Sequence, residues 1–92
     1  MTKTMAKKIV LKGIVQGVGM RYFIKEHAQR HGLLGYVKNA IDGSVQGFVQ
    51  GDEKRIKNFI KSLRTQSPGN IEEMIIDDAP INRDLTRFSI TF

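Results

Sequence analysis

The sequence contains no cysteine. Without a thiol the chain can form no disulfide framework, no thiolate nucleophile and no zinc–thiolate site. Long apolar runs are also missing, and the stretches that occur are as short as Ile9-Val10-Leu11. Runs of this length predict neither a membrane-spanning helix nor a secretory leader, so we expect a cytoplasmic protein with no membrane partner.

Signatures of several enzyme classes are absent as well. No Gly-Lys-Ser/Thr follows a glycine-rich loop, and no Asp-x-Asp pair indicates a metal site. His27 and His31 have the i, i+4 spacing of a helical metal pair, but the sequence offers no glutamate between them and no obvious third ligand. We therefore interpret them as residues of a packed or half-exposed helix face, and we expect no metal ion.

Length and charge limit the organisation of the chain. Its 92 residues, 40% hydrophobic and 26% charged, predict one domain over residues 1–92, with residues 1–6 frayed. A net charge of +6 favours an anionic ligand, although charge alone does not distinguish a phosphorylated metabolite from nucleic acid. The basic residues are spread along the chain, which is typical of a solvated surface, and a monomer is the simplest arrangement.

Hydrophobic periodicity predicts the order strand, helix, strand, strand, helix, strand, strand. The strands are predicted over residues 7–15, 36–41, 44–50, 71–77 and 87–92, and the helices over about 20–31 and from Asp52 to Ser67. One sheet with both helices on the same face buries two amphipathic helices economically. The fold class predicted is α+β, a ferredoxin-like α/β sandwich with a mostly antiparallel five-stranded sheet.

Short polar signals mark the connections. Asp42-Gly43 supplies two residue types that tolerate positive φ, so it predicts a tight two-residue hairpin turn between the second and third strands. Asp52 is a predicted N-cap for the second helix, and Glu53 suits the positive end of that helix dipole. The alternation of Phe88, Ile90 and Phe92 predicts that one face of the last strand is buried.

A glycine-rich loop, residues 13–21, lies between the first strand and the first helix. Gly17 and Gly19 allow consecutive N–H groups to turn inward, and the helix start adds unpaired N–H groups and the positive end of its dipole. The guanidinium of Arg21 matches two phosphate oxygens. These features predict a site for a phosphate-sized anion, although loops of this composition are often only tight turns.

Two segments carry a resemblance to a known family. Residues 13–21, Gly-Ile-Val-Gln-Gly-Val-Gly-Met-Arg, closely resemble the first acylphosphatase motif, Gly-x-Val-Gln-Gly-Val-Gly-Phe/Met-Arg. Residues 35–45, Gly-Tyr-Val-Lys-Asn-Ala-Ile-Asp-Gly-Ser-Val, with Gly51 further on, resemble the second. Both motifs occur in the family's order and at its separation, and the predicted strand–helix order also fits the family.

The resemblance implies hydrolysis of the carboxyl–phosphate bond of acyl phosphates by in-line attack of water. Arg21 is similar to the family's phosphate-binding catalytic arginine, and Asn39 to the catalytic asparagine that holds the water. The phosphate cradle would be formed by the backbone of Gln16, Gly17, Val18, Gly19, Met20 and Arg21. Met20 stands where phenylalanine is commoner in the family. The expected partners are an acyl phosphate substrate and inorganic phosphate, which is the product and an expected inhibitor; no cofactor is expected.

Two alternatives remain on the sequence. Some RNA-binding domains share this strand–helix order, and a charge of +6 would assist contact with a phosphate backbone. However, the aromatic-rich motif of those domains is absent, and only Tyr36 and Phe48 are aromatic on the central hairpin. A non-catalytic domain could also retain the loop for binding, but it need not keep both Arg21 and Asn39. We therefore expect an enzyme without a nucleic-acid partner.

Overall fold

A computed structural model describes residues 3–92 of the chain. Its elements follow the predicted order of strands and helices. They are β1 (Thr4–Ile14), α1 (Met20–Arg30), β2 (Leu34–Asn39), β3 (Val45–Asp52), α2 (Glu53–Gln66), β4 (Asn70–Ala79) and β5 (Phe88–Ile90).

The strands form one five-stranded sheet in the order β4-β1-β3-β2-β5. β3 pairs antiparallel with β1 and with β2, β4 pairs antiparallel with β1, and β5 runs parallel to β2. The sheet with two helices on one face confirms the ferredoxin-like α+β fold predicted from the sequence. Because β1 and β2 are both antiparallel to β3, they run in the same direction. The loops that follow them therefore leave the sheet at the same end.

The core lies between the sheet and the helices. α1 contributes residues at intervals of four, and α2 contributes residues at intervals of three and four, so each helix presents one apolar stripe. The helical core residues are Met20, Ile24 and Ala28 in α1 and Ile56, Phe59 and Leu63 in α2. They pack against inward-facing strand residues such as Leu11, Val37 and Val49, all fully buried. Each large buried side chain contributes about 1.5–3 kcal/mol through the hydrophobic effect.

The first strand begins earlier than the sequence predicts. β1 starts at Thr4, so the prediction of a frayed segment over residues 1–6 is wrong for residues 4–6. Ala6 is buried and pairs with Gln50 on one side and with Ala79 on the other. Strands on both sides hold this end of β1 in place, and local sequence does not reveal them. Met1 and Thr2 lie outside the described residues.

The connection between β2 and β3 is also different from the prediction. Gly43 has a φ of 90°, but Asp42 does not have a positive φ, so the two-residue turn with two left-handed positions is wrong. Instead, the Gly43 N–H donates to the Ala40 carbonyl at 3.2 Å, and the Ala40 N–H donates to the Ser44 carbonyl at 2.8 Å. This pattern is that of a three-residue hairpin loop with a single left-handed glycine.

The last strand is shorter than predicted. β5 covers Phe88–Ile90 rather than residues 87–92, and Phe92 is fully exposed instead of buried. Phe88 is buried in the core, as the alternation predicts. The chain stays beside β2 past the end of β5, since the Thr91 N–H donates to the Val37 carbonyl at 2.9 Å.

Candidate active site

The glycine-rich loop leaves the sheet through a β-bulge. The pairing of β1 with β4 shifts register between Lys12 and Gly13, and Gly13 has a φ of 126°. A Cβ at Gly13 would lie 2.4 Å from the Asn70 carbonyl oxygen, so only glycine fits. Beyond the bulge, the buried side chains of Val15 and Met20 fix the two ends of the loop in the core.

Two further glycines shape the loop between these anchors. Gly17 and Gly19 have φ values of 73° and 86°, in the left-handed region that other residues rarely adopt. Apart from the glycine and its two neighbours in the chain, no atom lies within 4 Å of the position that a Cβ would occupy at either residue. Backbone conformation, rather than lack of space, therefore favours glycine here. Left-handed positions within such a loop turn N–H groups toward a common centre, which makes a concave anion site.

The start of α1 adds to this site. Gly19 is the N-cap, no side chain caps the helix, and its first turn contains no acidic residue. The Phe23 N–H donates to the Gly19 carbonyl at 3.0 Å as the first helical hydrogen bond. The N–H groups of residues 20–22 therefore have no acceptor within the helix. These donors and the positive end of the helix dipole favour a negatively charged ligand beside the loop.

The structure brings most of the predicted site residues to one cavity. This cavity has a volume of about 130 Å³ and lies where the loop, the start of α1 and the end of β2 meet. Its lining residues are Val15, Gly17, Gly19, Met20, Arg21, Tyr22 and Asn39. Arg21 is half-buried, whereas Asn39 is exposed at the last position of β2. A cationic fork and a neutral amide thus face the same small space.

Two predicted cradle residues direct their side chains away from this cavity. Val18 is partly buried and packs against the hydrophobic core. The side-chain amide of Gln16 donates from Nε2 to the Ala40 carbonyl at 2.7 Å and to the Ser44 carbonyl at 2.9 Å. Only the backbone groups of these two residues can therefore contribute to the predicted cradle. The Gln16 side chain links the loop to the β2–β3 hairpin.

The hairpin that carries Asn39 has its own network of hydrogen bonds. Oδ1 of Asp42 accepts from the Ser44 hydroxyl at 2.6 Å and from the Ser44 N–H at 3.0 Å. The hydrogen bonds from the Ser44 side chain and then from its backbone hold the pKa of Asp42 below its usual value. These hydrogen bonds stabilise the charged carboxylate, and the loop is held together by its own residues.

Two aromatic side chains at this site were not predicted from the sequence. Tyr22 lines the cavity, and the ring centroid of Phe92 lies 5.8 Å from the guanidinium carbon of Arg21. Tyr22 could have been included because it follows Arg21 in the first turn of α1. Phe92 gave no such indication, since its position depends on the parallel pairing of β5 with β2.

His27 of α1 and His31, the C-cap of that helix, pack against aromatic rings. The rings of Phe23 and His27 stack with centroids 4.0 Å apart, and His31 meets Phe59 edge-on at 6.4 Å. Burial, together with the charge of Arg30, lowers the pKa of His27. Within residues 3–92, no group of three or more histidine or acidic side chains is placed to hold a metal ion. In the same part of the chain, no helix has the length and apolar character needed to cross a membrane.

Comparisons with known proteins cover nearly the whole chain. Residues 7–90 match the family model described as Acylphosphatase. The chain is 36% identical over 85 residues to an acylphosphatase of Bacillus velezensis, covering 91% of this chain and 94% of that protein. It is 39% identical over 87 residues to an acylphosphatase of Caldivirga maquilingensis, covering 92% of each. The crystal structure of acylphosphatase from Bacillus subtilis superposes with a TM-score of 0.90 at 31% identity, covering 98% of this chain and 100% of that one.

Proposed function

This chain belongs to the acylphosphatase family and hydrolyses acyl phosphates, and from that premise we propose which of its atoms carry out the reaction. The observation that supports this assignment is the convergence of the glycine loop, the uncapped start of α1, Arg21 and Asn39 on one cavity. These four features provide a place for phosphate and a place for water. The nucleic-acid-binding and non-catalytic alternatives are not favoured, because the relatives are named acylphosphatases over almost their full length.

The phosphate group binds to the loop and to Arg21. Backbone N–H groups over residues 16–21 point at its oxygens, and the helix dipole of α1 adds positive potential. The guanidinium of Arg21 donates two parallel hydrogen bonds to two phosphate oxygens. Phosphoryl transfer depends chiefly on positioning and on stabilising the charge that spreads over these oxygens. The N–H groups and Arg21 provide positive charge that stabilises these oxygens, so we propose that the reaction needs no metal ion.

Asn39 holds the attacking water opposite the leaving oxygen. As water oxygen bonds to phosphorus, the bond from phosphorus to the acyl oxygen breaks and its electron pair leaves with the carboxylate. The acid of that leaving group has a pKa near ~4, so no strong general acid is required at neutral pH. The amide of Asn39 does not accept a proton, and the proton of the water therefore passes to the substrate phosphate.

The products are a carboxylate and inorganic phosphate. Inorganic phosphate fits the same loop, so we expect it to inhibit competitively with the substrate. We further propose that the single domain acts as a monomer in the cytoplasm, without nucleic acid. All the groups invoked come from one copy of the chain, from the end of β1 to the end of β2.

The test is hydrolysis of benzoyl phosphate in EDTA by the wild type and by Arg21→Ala. We expect turnover by the wild type, and a loss of at least ~10²-fold in kcat/KM in the variant, because comparable electrostatic donors contribute about 3–4 kcal/mol to transition states. Arg30→Ala is the matched control. It lies in the last turn of the same helix and forms an exposed pair with Glu26 at 2.6 Å, so it should keep full activity.

Two results would contradict the proposal. Near-full activity in Arg21→Ala would remove Arg21 from phosphate binding. A folded wild type that binds inorganic phosphate without hydrolysing benzoyl phosphate would be a non-catalytic binding domain, and RNA would then be the next ligand to test. Inhibition by EDTA would overturn the metal-free reaction alone.

A further inference from the structure

The two parts of the site, the phosphate loop with Arg21 and the side chain of Asn39, lie at the ends of two strands that are not adjacent in the sheet. Arg21 and the phosphate loop follow β1, Asn39 ends β2, and β3 lies between these strands. The last paired residue of β2 is Asn39, which lies opposite Val45, and Val45 also faces Leu11 of β1. Past this point, the sheet does not connect β1 to β2. The distance from bound phosphate to the water on Asn39 therefore depends on contacts made outside the sheet.

Gln16 makes such a contact. Its Nε2 donates to the carbonyls of Ala40 and Ser44, at 2.7 Å and 2.9 Å. Since both partners are carbonyl oxygens, only the NH₂ end of the amide can face them, and each of its two hydrogens serves one acceptor. Ala40 directly follows Asn39 in the chain. The Gln16 side chain thus links the phosphate loop to the residue next to the proposed water-holding amide.

The two acceptors belong to a hairpin loop that is held together by its own hydrogen bonds. The Ala40 carbonyl also accepts from the Gly43 N–H, and the Ser44 carbonyl also accepts from the Ala40 N–H. Ser44 is itself buried and bonded to the Asp42 carboxylate. A shift of this loop relative to the phosphate loop would therefore carry Asn39 with it.

We propose that the Gln16 side chain is a positioning residue for the reaction, which sets the place of Asn39 and its water relative to the bound phosphate. This rests on the proposed function, in which Asn39 holds the attacking water. In this proposal the side chain does not bind phosphate, because its amide donates to the hairpin carbonyls and Gln16 does not line the cavity. A misplacement of about 1 Å in a reacting group can lower the rate by about 10²-fold.

The first measurement compares Gln16→Ala with Gln50→Ala. Gln50 is the matched control because its side chain also makes two hydrogen bonds to backbone, both to Asn82, at 2.8 Å and 3.0 Å. These bonds lie at the opposite end of the sheet from the cavity. We expect both variants to be destabilised in urea. Only Gln16→Ala should lose kcat, by about 10–100-fold, while its inhibition by inorganic phosphate stays within about twofold of the wild type.

Gln16→Glu tests the hydrogen bonds themselves. The side chain keeps its size, but at neutral pH its carboxylate only accepts and faces two carbonyl oxygens, so kcat should fall at least as far as in Gln16→Ala. A protonated carboxyl can donate one of the two bonds. The kcat of Gln16→Glu relative to the wild type should therefore rise below about pH 5, whereas the relative kcat of Gln16→Ala should stay flat.

A double variant separates positioning from general loss of structure. If Gln16 acts through Asn39, adding Gln16→Ala to Asn39→Ala should lower kcat by less than about twofold. The inference would be overturned if the kcat losses of the two single variants multiplied in the double variant. Loss of phosphate inhibition together with kcat in Gln16→Ala would also overturn it. If Gln16→Ala kept the kcat of the wild type while Asn39→Ala lost most of its kcat, only the positioning role of Gln16 would be overturned. Full kcat in Asn39→Ala would instead overturn the proposed function.

Discussion

The two helices begin in opposite ways. α2 starts after Asp52, whose carboxylate accepts from the Lys54 N–H at 3.3 Å, and Glu53 adds a negative charge in the first turn. α1 starts after the left-handed Gly19, with no side-chain cap and no acidic residue in its first turn. Each helix start has N–H groups without an acceptor in the helix and the positive end of a dipole. At α2 the Lys54 N–H is capped by Asp52 and the Glu53 N–H donates to the Lys3 carbonyl at 2.8 Å, whereas no side chain caps α1.

The difference shows how one backbone feature serves two purposes. At α2 the capping side chain stabilises the fold, typically by about 1 kcal/mol. At α1 no side chain provides that stabilisation, and the N–H groups of the first turn are available to a ligand from solution. The arrangement of a βα unit therefore does not by itself make an anion site. What makes the site is the absence of an internal anion at the one helix start where the chain also supplies Gly17, Gly19 and Arg21.

The largest expected effect comes from making α1 begin as α2 does. Gly19→Asp places a carboxylate at the proposed phosphate site, and two unit charges 4 Å apart interact by about 4 kcal/mol at an effective dielectric constant of 20. We expect the KM for benzoyl phosphate and the inhibition constant of inorganic phosphate to rise by at least ~10²-fold relative to Gly19→Asn. Asparagine has a similar size and similar tolerance of the left-handed region, so it reports the strain alone. Equal effects of the two substitutions would mean that charge at this helix start is unimportant.

A smaller and more selective effect is expected at Asn39, which lies outside either helix. Asn39→Ala should lower kcat by about 10–100-fold, because the attacking water loses its orientation. Inhibition by inorganic phosphate should change little, since in the proposed function the loop and the start of α1 bind the anion. Steady-state kinetics with phosphate as inhibitor measures both quantities. Joint loss of turnover and phosphate inhibition would place Asn39 in the cradle instead.

The smallest effect is expected at α2. Asp52→Ala removes the cap and should destabilise the protein by about 1 kcal/mol, which lowers Tm by about 4–8 °C in a domain of this size. Asp52→Ser, which retains a capping oxygen, should lose less. Both variants should keep the kcat and KM of the wild type when assayed well below Tm. A reduced kcat in folded Asp52→Ala would show that the two helix starts are not independent.

Local sequence predicts the elements of the fold better than their partners. Apolar spacing is enough to place both helices and five strands, because burial of one face requires it. The start of β1 was missed because the pairing of Ala6 depends on Gln50 and Ala79, which are distant in sequence. The hairpin turn was wrong because Asp42-Gly43 fits more than one turn type. The hydrogen bonds of Asp42 with Ser44 accompany the longer loop that forms.

The candidate site shows the same contrast between residues close in sequence and partners distant in sequence. The loop glycines and Arg21 are close in sequence, so the motif and its position before a helix are enough to predict that they line one site. Asn39 was added by family resemblance, not by its own surroundings. The sequence does not predict the partners of the Gln16 side chain, because its acceptors lie 24 and 28 residues further along the chain. Only the folded arrangement of two non-adjacent strands brings them together.

β4 and β5 are the edge strands of the sheet, and their unpaired backbone groups could pair with a strand of another chain. β4, at one edge, has ten residues and carries four carboxylates, on Glu72, Glu73, Asp77 and Asp78. Asp78 is paired with Lys7 of β1, and two copies meeting through this edge would bring the six remaining carboxylates together, which opposes the start of a continuous intermolecular sheet. β5, at the other edge, is three residues long and offers little backbone to a strand of another chain. A chain with a net charge of +6 thus concentrates acidic residues on the longer of its two edges, where they resist aggregation.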